Sequence, residues 1–413
     1  MVARLNISEI ERYLTVDRAF LLIVLVGLTN FALYPFAMFG PNSEAELGGD
    51  FVAFWSVARE TIAGNMIDLY PNSGLIDAIA EHRPTAVEEA SGLTWQYPPH
   101  TTLALAPFGL MAFPVAYITW MLLGLVAYAA SLTLIGARGP ALIALMATSI
   151  VFTAVITGQN GLFTAALMIV AVTWADRRPI LAGLAAAALT IKPQLGFLLP
   201  LAYLTGRCWR SFITASIASC LLWGASFLVA GAKAWQAFLQ SITEVSASVE
   251  NGIMPLYKMV TIFSALRLGG LSPELATGIS VVLGILMAAG VVWVWHKTSD
   301  SGLRLMAVSC AALLITPYAF YYELTIPLAG LFVLALRGHK TGWLAGERLI
   351  MLGMIFISIK TPGSEISNGV SLSFLFLFCA SGLITRRIFT ELIGTRINGL
   401  SKDMARRIEA SPL

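Results

Sequence analysis

Charge is scarce in this 413-residue chain: 12% of its residues are Asp, Glu, Lys or Arg, about half the share carried by an ordinary soluble domain. That is too little to clothe a water-facing surface, so a soluble globular protein is excluded. The formal net charge of +3 is spread without any basic stripe, which excludes a nucleic-acid binder. A disordered chain is excluded too, because 57% of the residues are hydrophobic and the mean hydropathy is +0.79. Cysteine is rare. Cys208, Cys220, Cys310 and Cys379 lie in or beside apolar runs without CxxC spacing, so they read as small buried hydrophobes and indicate neither a disulfide framework nor a zinc site. The absence of an internal repeat at a fixed period weighs against a transporter built from matched halves.

What the sequence does have is long uncharged runs. Nine stretches, at roughly 19–39, 114–136, 139–157, 160–175, 211–232, 275–295, 305–322, 349–359 and 366–385, carry no charge and are long or apolar enough to cross or nearly cross a hydrocarbon core of about 30 Å. Two shorter pieces, 97–113 and 324–336, and the Pro-interrupted 179–206 must also be buried. An all-α polytopic membrane protein with about ten to twelve membrane helices is expected, in one integral membrane domain over 1–413. The first span, 19–39, follows Arg4, Arg12 and Arg18 and reads as an uncleaved anchor. With that head in the cytoplasm, 19 of the 26 Lys and Arg residues fall on one face, as the positive-inside rule requires. Both termini are then cytoplasmic, the basic tail 388–413 included. The tail's charge suits contact with anionic membrane lipid.

The opposite face carries residues 40–96, an extracytoplasmic loop too long for a connector. Its acidic residues outnumber its basic ones nine to two over 40–95. Phe51, Phe54, Trp55, Ala58 and Ile62 recur at helical spacing, with Arg59 and Glu60 on the other side, which predicts an amphipathic helix at the membrane surface. Just before it, Asp50 in Gly48-Gly49-Asp50-Phe51 suits an N-cap, and the same position would keep a carboxylate ionised and directed for use as a base. In Trp95-Gln96-Tyr97-Pro98-Pro99-His100 the prolines start a helix, the aromatics suit an interface, and His100 is a candidate proton carrier or phosphate donor. Thr157-Gly158-Gln159-Asn160-Gly161 is a tight turn whose amides suit sugar hydroxyls. Ile191-Lys192-Pro193-Gln194 falls at the tip of an expected hairpin over 179–206. There Pro193 breaks the helix, and Lys192 needs a wet cavity, an anion or an ion pair with a residue such as Glu323. Glu323 closes Thr316-Pro317-Tyr318-Ala319-Phe320-Tyr321-Tyr322-Glu323. Lys258 and Arg267 are further outer-face cations able to hold an anion.

Taken together, these strings resemble glycosyltransferase family 87, polytopic GT-C mannosyltransferases that use a polyprenyl-phosphate sugar. The resembling pieces are Gly49-Asp50-Phe51, Ala63-Gly64, Asp68-Leu69-Tyr70-Pro71, Tyr97-Pro98-Pro99 with Pro107, Gly158-Gln159-Asn160, Arg178-Pro179 with Ala182-Gly183, Lys192-Pro193-Gln194, and Thr316-Pro317-Tyr318 ahead of Tyr322-Glu323. They run in the family's order over about residues 48–330. The chain departs from the expected pattern at Glu323, where Asp is more usual, and at Tyr318, where some members carry His. The resemblance implies a GT-C-like bundle in the cell's inner membrane, with Asp50 as extracytoplasmic base and inversion at the transferred sugar carbon. It also implies a polyprenyl-phosphate sugar donor and a glycolipid or glycan acceptor. Lys192, His100 or Lys258 would steady the donor phosphate. Tyr97, Gln159, Asn160, Gln194, Tyr318, Tyr322 and Glu323 would meet sugar or acceptor. Because the leaving group is already a phosphate monoester, no cofactor and no obligatory metal is expected. A transporter or flippase of lipid-linked sugars is the competing reading, and a non-catalytic accessory subunit a third.

Overall fold

The computed structural model describes residue 18, residues 21–29, residue 32, residues 48–359 except 72, 89, 91 and 92, and residues 371–409, with side chains only to 394 in the last helix. Arg4, Arg12, Glu89, Lys360 and much of the expected first span lie outside the described residues. Among the described residues from Phe51 onward, seventeen α-helices make up the fold. The pairing between Met259 and Phe320 is an isolated bridge, and no strand forms among the described residues.

The order is α1 Phe51–Ala63, α2 Gly74–His82, α3 Pro99–Gly109, α4 Phe113–Leu134, α5 Pro140–Met146, α6 Ser149–Ile156, α7 Gly161–Thr173, α8 Pro179–Ala188 and α9 Pro193–Gly196. There follow α10 Leu199–Thr205, α11 Trp209–Glu250, α12 Ile262–Leu268, α13 Pro273–Lys297, α14 Ser301–Ile315, α15 Thr325–Thr341, α16 Glu347–Ile359 and α17 Leu372–Glu409. Proline opens many of them, where its missing N–H is harmless and its fixed φ is already helical. Thr148, Thr261, Ser272 and Asp300 cap the starts of α6, α12, α13 and α14 through their side-chain oxygens.

Among the described residues, four helices are long and apolar enough to cross a membrane: α4, α11, α13 and α17 as far as Gly394. Large apolar side chains on α11 and α13, among them Leu221, Leu228, Val229, Val282, Ile285 and Leu286, have no protein covering them, as lipid-facing helices require. This is an all-α polytopic membrane protein. The other uncharged stretches form shorter pieces. The 139–157 run divides at Thr148, whose extended backbone and capping hydroxyl end α5 and restart α6, and shorter apolar helices cover 161–173, 179–191 and 301–315. Segment 179–206 folds back at Lys192: on the returning α10, the Tyr203 hydroxyl bonds the Ala171 carbonyl at 2.9 Å and the Ala182 carbonyl at 3.3 Å. Helix α17 runs unbroken across 387–388, where the basic tail was expected to begin.

The surface helix expected over 51–62 requires correction. Every residue of α1 from Phe51 to Ala58 is buried, on all sides of the helix, while Ile62 is exposed. Phe51 and Trp55 pack on Phe113, and Phe54 packs on Trp95, Tyr97 and Trp120. On α3, Gly109 lies so close that a Cβ there would sit 2.7 Å from the Ala58 backbone. Glu60, expected on the polar side, is buried as well, held by His82 at 2.5 Å and Asn65 at 2.8 Å. An apolar stripe specifies that something must cover it, and here protein does.

Candidate functional site

Asp50 sits at the N-cap position of α1, after a turn in which Gly48 adopts φ 86° and its carbonyl accepts the Phe51 N–H at 2.6 Å. Its side chain makes no capping bond. The carboxylate turns to another part of the chain instead, where Oδ2 accepts Nε2–H of Gln159 at 2.7 Å. Burial raises the Asp50 pKa above the usual carboxylate range, while the Gln159 bond and the charges of Lys258 and Lys192 pull it back. The residue remains partly accessible at its surface edge.

Two glycines place Gln159 and Asn160 between the start of α1 and the region of Tyr322. Gly158, at φ 69°, approaches so closely that a Cβ would meet the Phe51 Cβ at 2.4 Å. At Gly161 a Cβ would meet the Tyr322 carbonyl oxygen at 2.2 Å. Side chains fasten the loop from both sides: Trp120 Nε1 donates to the Gly158 carbonyl at 3.1 Å and the Thr325 hydroxyl to that of Gly161 at 2.9 Å. Asn160 Nδ2 donates to the Tyr97 hydroxyl at 3.1 Å. The amide oxygens of both Gln159 and Asn160 are buried without a donor, an arrangement that costs stability unless a ligand or water supplies one.

Lys192, at the fold-back between α8 and α9, reaches Glu323 Oε1 at 2.6 Å with both side chains buried. Its ammonium also lies 4.7 Å from the Tyr322 ring centroid and 5.6 Å from that of Tyr97. Glu323 Oε2 accepts the Phe320 N–H at 3.1 Å. Tyr318 packs edge-on to Phe320 at 5.0 Å, and both Tyr318 and Tyr322 lie within electrostatic reach of Asp50. Lys258, half-buried, acts on the Asp50 charge and has no ion-pair partner among the described residues.

Nine of the eleven residues singled out in the sequence thus converge: Asp50, Tyr97, Gln159, Asn160, Lys192, Lys258, Tyr318, Tyr322 and Glu323. His100 stands to one side, against Thr190 and Trp235. Burial at the first turn of α3, a helix too short to cross a membrane, lowers its pKa to about 4 and leaves it neutral. Gln194 is half-buried on α9 with no side-chain hydrogen bond among the described residues. Sequence reasoning missed Tyr70, whose hydroxyl donates to the Tyr97 carbonyl at 3.0 Å, and Trp120. Tyr70 carried a signal, since it belongs to Asp68-Leu69-Tyr70-Pro71. Trp120 carried none, being one aromatic in an apolar span.

One group among the described residues has the composition to hold a metal ion: Glu60, Glu81 and His82 bring their ligand atoms within 4.8 Å of one another. It lies ten residues along α1 from Asp50, about 15 Å at helical rise, so a metal there is outside the Asp50 cluster. The Asp50 cluster itself combines a desolvated carboxylate, two unpaired amide oxygens, a paired and an unpaired cation and several tyrosines. That set can take a proton from a hydroxyl and bind both polyol and anion.

The sequence profile of glycosyltransferase family 87 matches residues 95–317, more than half of the chain. The match includes Tyr97, His100, Gln159, Asn160, Lys192, Gln194 and Lys258. Asp50 precedes it, and Tyr318, Tyr322 and Glu323 follow it. No curated protein and no solved structure matches the chain.

Proposed function

Since the chain belongs to glycosyltransferase family 87, we propose that it transfers a sugar, mannose on the family resemblance, from polyprenyl phosphate to a hydroxyl of a lipid-linked or glycan acceptor. The reaction takes place on the extracytoplasmic side of the inner membrane, in a GT-C-like bundle whose termini are both cytoplasmic. Asp50 is the base. The acceptor O–H gives its proton to the Asp50 carboxylate as its oxygen bonds to the anomeric carbon, and the bond from that carbon to the phosphate oxygen breaks. A single displacement inverts that carbon. Polyprenyl phosphate leaves with the bonding electron pair, and Lys258 and Lys192 offset the charge it gains.

The observation that carries this reading is the direction of the Asp50 carboxylate, away from its own helix and onto Gln159. A purely structural N-cap would bond its helix backbone. Beside it, the free oxygens of Gln159 and Asn160 await donors of the kind that sugar hydroxyls provide. Burial strengthens the base by raising its pKa. A lipid-phosphate donor also accounts for a site set among apolar helices, since its reactive carbon is held at the membrane interface.

The test uses the purified full chain, radiolabelled polyprenyl-phosphate mannose and a lipid extract from the source cells. Asp50→Asn, which keeps an oxygen for Gln159 and loses the base, is expected to remain folded and to lose about 10²–10⁴-fold in transfer rate. Undiminished transfer by this variant would refute the assignment.

A further inference from the structure

Helix α11 breaks at Gly231, whose φ of 79° and ψ of 168° suit glycine alone. The break folds Trp223 and Trp235 together, with ring centroids 6.2 Å apart. In a straight helix, twelve residues would separate them by about 18 Å. Trp235 in turn stacks on His100, at 6.4 Å and 27°. Trp223 is 42% exposed, so the group has an open side on α11.

The hydrogen bonds fix the protons. The Thr190 hydroxyl donates to the Ala187 carbonyl at 2.5 Å, which uses its single proton. Trp223 Nε1, 3.3 Å from that hydroxyl oxygen, donates to it, and we assign His100 Nε2, also at 3.3 Å, as a second donor, since the hydroxyl proton is engaged by the shorter bond. With the proton on Nε2 of a neutral ring, Nδ1 of His100 is a bare acceptor. It has no partner, although His100 is 4% exposed, and the Nε1–H of Trp235 is likewise buried and unpartnered. Stacked rings thus present one acceptor and one donor. A hydroxyl satisfies both, giving its proton to Nδ1 and accepting one from Nε1.

We propose that His100, Trp223 and Trp235 form a sugar subsite that holds a hexopyranose ring of the acceptor, one hydroxyl bridging His100 Nδ1 and Trp235 Nε1 with an apolar C–H face against Trp223. The identity of the sugar's owner as acceptor rests on the glycosyltransferase reading. A pyranose matches these groups in both respects, having hydroxyl edges and apolar faces, and aromatic side chains with a few placed polar groups are how such ligands are held. A phosphate does not match: a neutral imidazole brings no charge, and a bare acceptor nitrogen repels phosphate oxygen. The subsite therefore replaces the phosphate role expected for His100 from sequence. Thr190 lies two residues before Lys192, so a sugar bound here adjoins the Asp50 cluster and leaves the donor side to the lysines.

The test uses the full chain labelled with 5-fluorotryptophan in lipid nanodiscs without donor, the Trp235 fluorine resonance being identified by its loss in Trp235→Phe. Octyl α-D-mannopyranoside and octyl β-D-glucopyranoside are titrated separately, with octanol as control. At least one glycoside should shift the Trp235 resonance saturably, octanol should not, and His100→Phe should weaken the glycoside's affinity about tenfold or more. No shift from either glycoside, an equal shift from octanol, or unchanged affinity in His100→Phe would overturn the subsite. Because no transfer is needed for this readout, a saturable shift in a protein that transfers no sugar would sink the enzymatic reading and leave the subsite standing. In the transfer assay, His100→Phe should raise the acceptor concentration for half-maximal rate about tenfold and leave that for the donor unchanged; the reverse pattern would overturn the acceptor assignment.

Discussion

Lys192 and Glu323, 131 positions apart in the chain, meet at 2.6 Å with both side chains out of solvent. Breaking such a pair leaves an uncompensated buried charge, so Lys192→Met should cost about 3–5 kcal/mol of stability. The double variant Lys192→Met with Glu323→Gln should recover most of that loss, because neither charge is then stranded. Thermal unfolding of the three proteins checks this. Donor affinity separates the roles: if Lys192 also steadies phosphate, the double variant stays weak toward donor although it is stable again.

Lys258 has no ion-pair partner among the described residues and is half-buried. Removing its charge breaks no ion pair and loses only its longer-range pull on the Asp50 carboxylate, so Lys258→Met should cost no more than about 1 kcal/mol of stability. Donor binding should fall about tenfold, as expected for losing one charge-assisted contact to phosphate. Equilibrium binding of the polyprenyl-phosphate sugar gives the answer, and unaltered affinity would remove Lys258 from the site.

The raised pKa of Asp50 sets the acid limb of the rate profile. If Asp50 is the base it must be ionised, so kcat/KM should fall with falling pH through a value above the ordinary carboxyl pKa of about 3.9. Gln159→Leu removes a bond that lowers this pKa and should move the limb to higher pH. The same shift has a stability sign. A folded-state pKa above the unfolded one gives a contribution that is present below the unfolded value and lost as pH rises through the folded one. Ionising the carboxylate therefore costs stability, and above the folded-state pKa Asp50→Asn should be at least as heat-stable as the wild type, with any advantage vanishing in acid.

Gly158→Ala should reduce transfer and stability together. Its φ of 69° disfavours any side chain, and the new Cβ would meet Phe51 at 2.4 Å, so a loss of about 1–3 kcal/mol is expected. Gly161→Ala, clashing with the Tyr322 carbonyl, should behave alike from the other side of the loop. Transfer rates normalised to folded protein test both; full activity at wild-type stability would show that the loop does not need its close packing.

Chelator should leave the transfer rate unchanged if lysines alone offset the phosphate charge, and arrest by EDTA would refute that statement. The group of Glu60, Glu81 and His82 offers a separate check. His82→Ala leaves the buried Glu60 carboxylate with Asn65 alone, so about 1–3 kcal/mol of stability should be lost with or without metal.

The sequence carried the fold class plainly, because low charge and long apolar runs admit few alternatives. Most of the candidate cluster was legible for a different reason: Asp50, Gln159, Lys192 and Glu323 are polar residues at breaks between apolar runs, where polarity is costly without a partner. The embedding of α1 was not legible, since an apolar stripe looks the same under lipid or protein. The Asp50 side-chain direction was hidden too, because N-cap preference describes the position and not the rotamer. The grouping at His100 could not be read at all. Trp223 and Trp235 are far apart along a helix until Gly231 folds them together, and a glycine within an apolar stretch gives no sign that it will.

The burial of α1 on every side from Phe51 to Ala58 has a consequence for the proposed lipid substrates. If Asp50 is the proposed base, it is mounted on a post sunk in protein, so its position is set by those contacts and not by the thickness of the surrounding leaflet. On that reading the headgroup of a lipid substrate would come to a fixed point, while the number of carbons in its tail would be left free to vary. Tolerance of tail length with strictness about the headgroup is what such a mounting would produce.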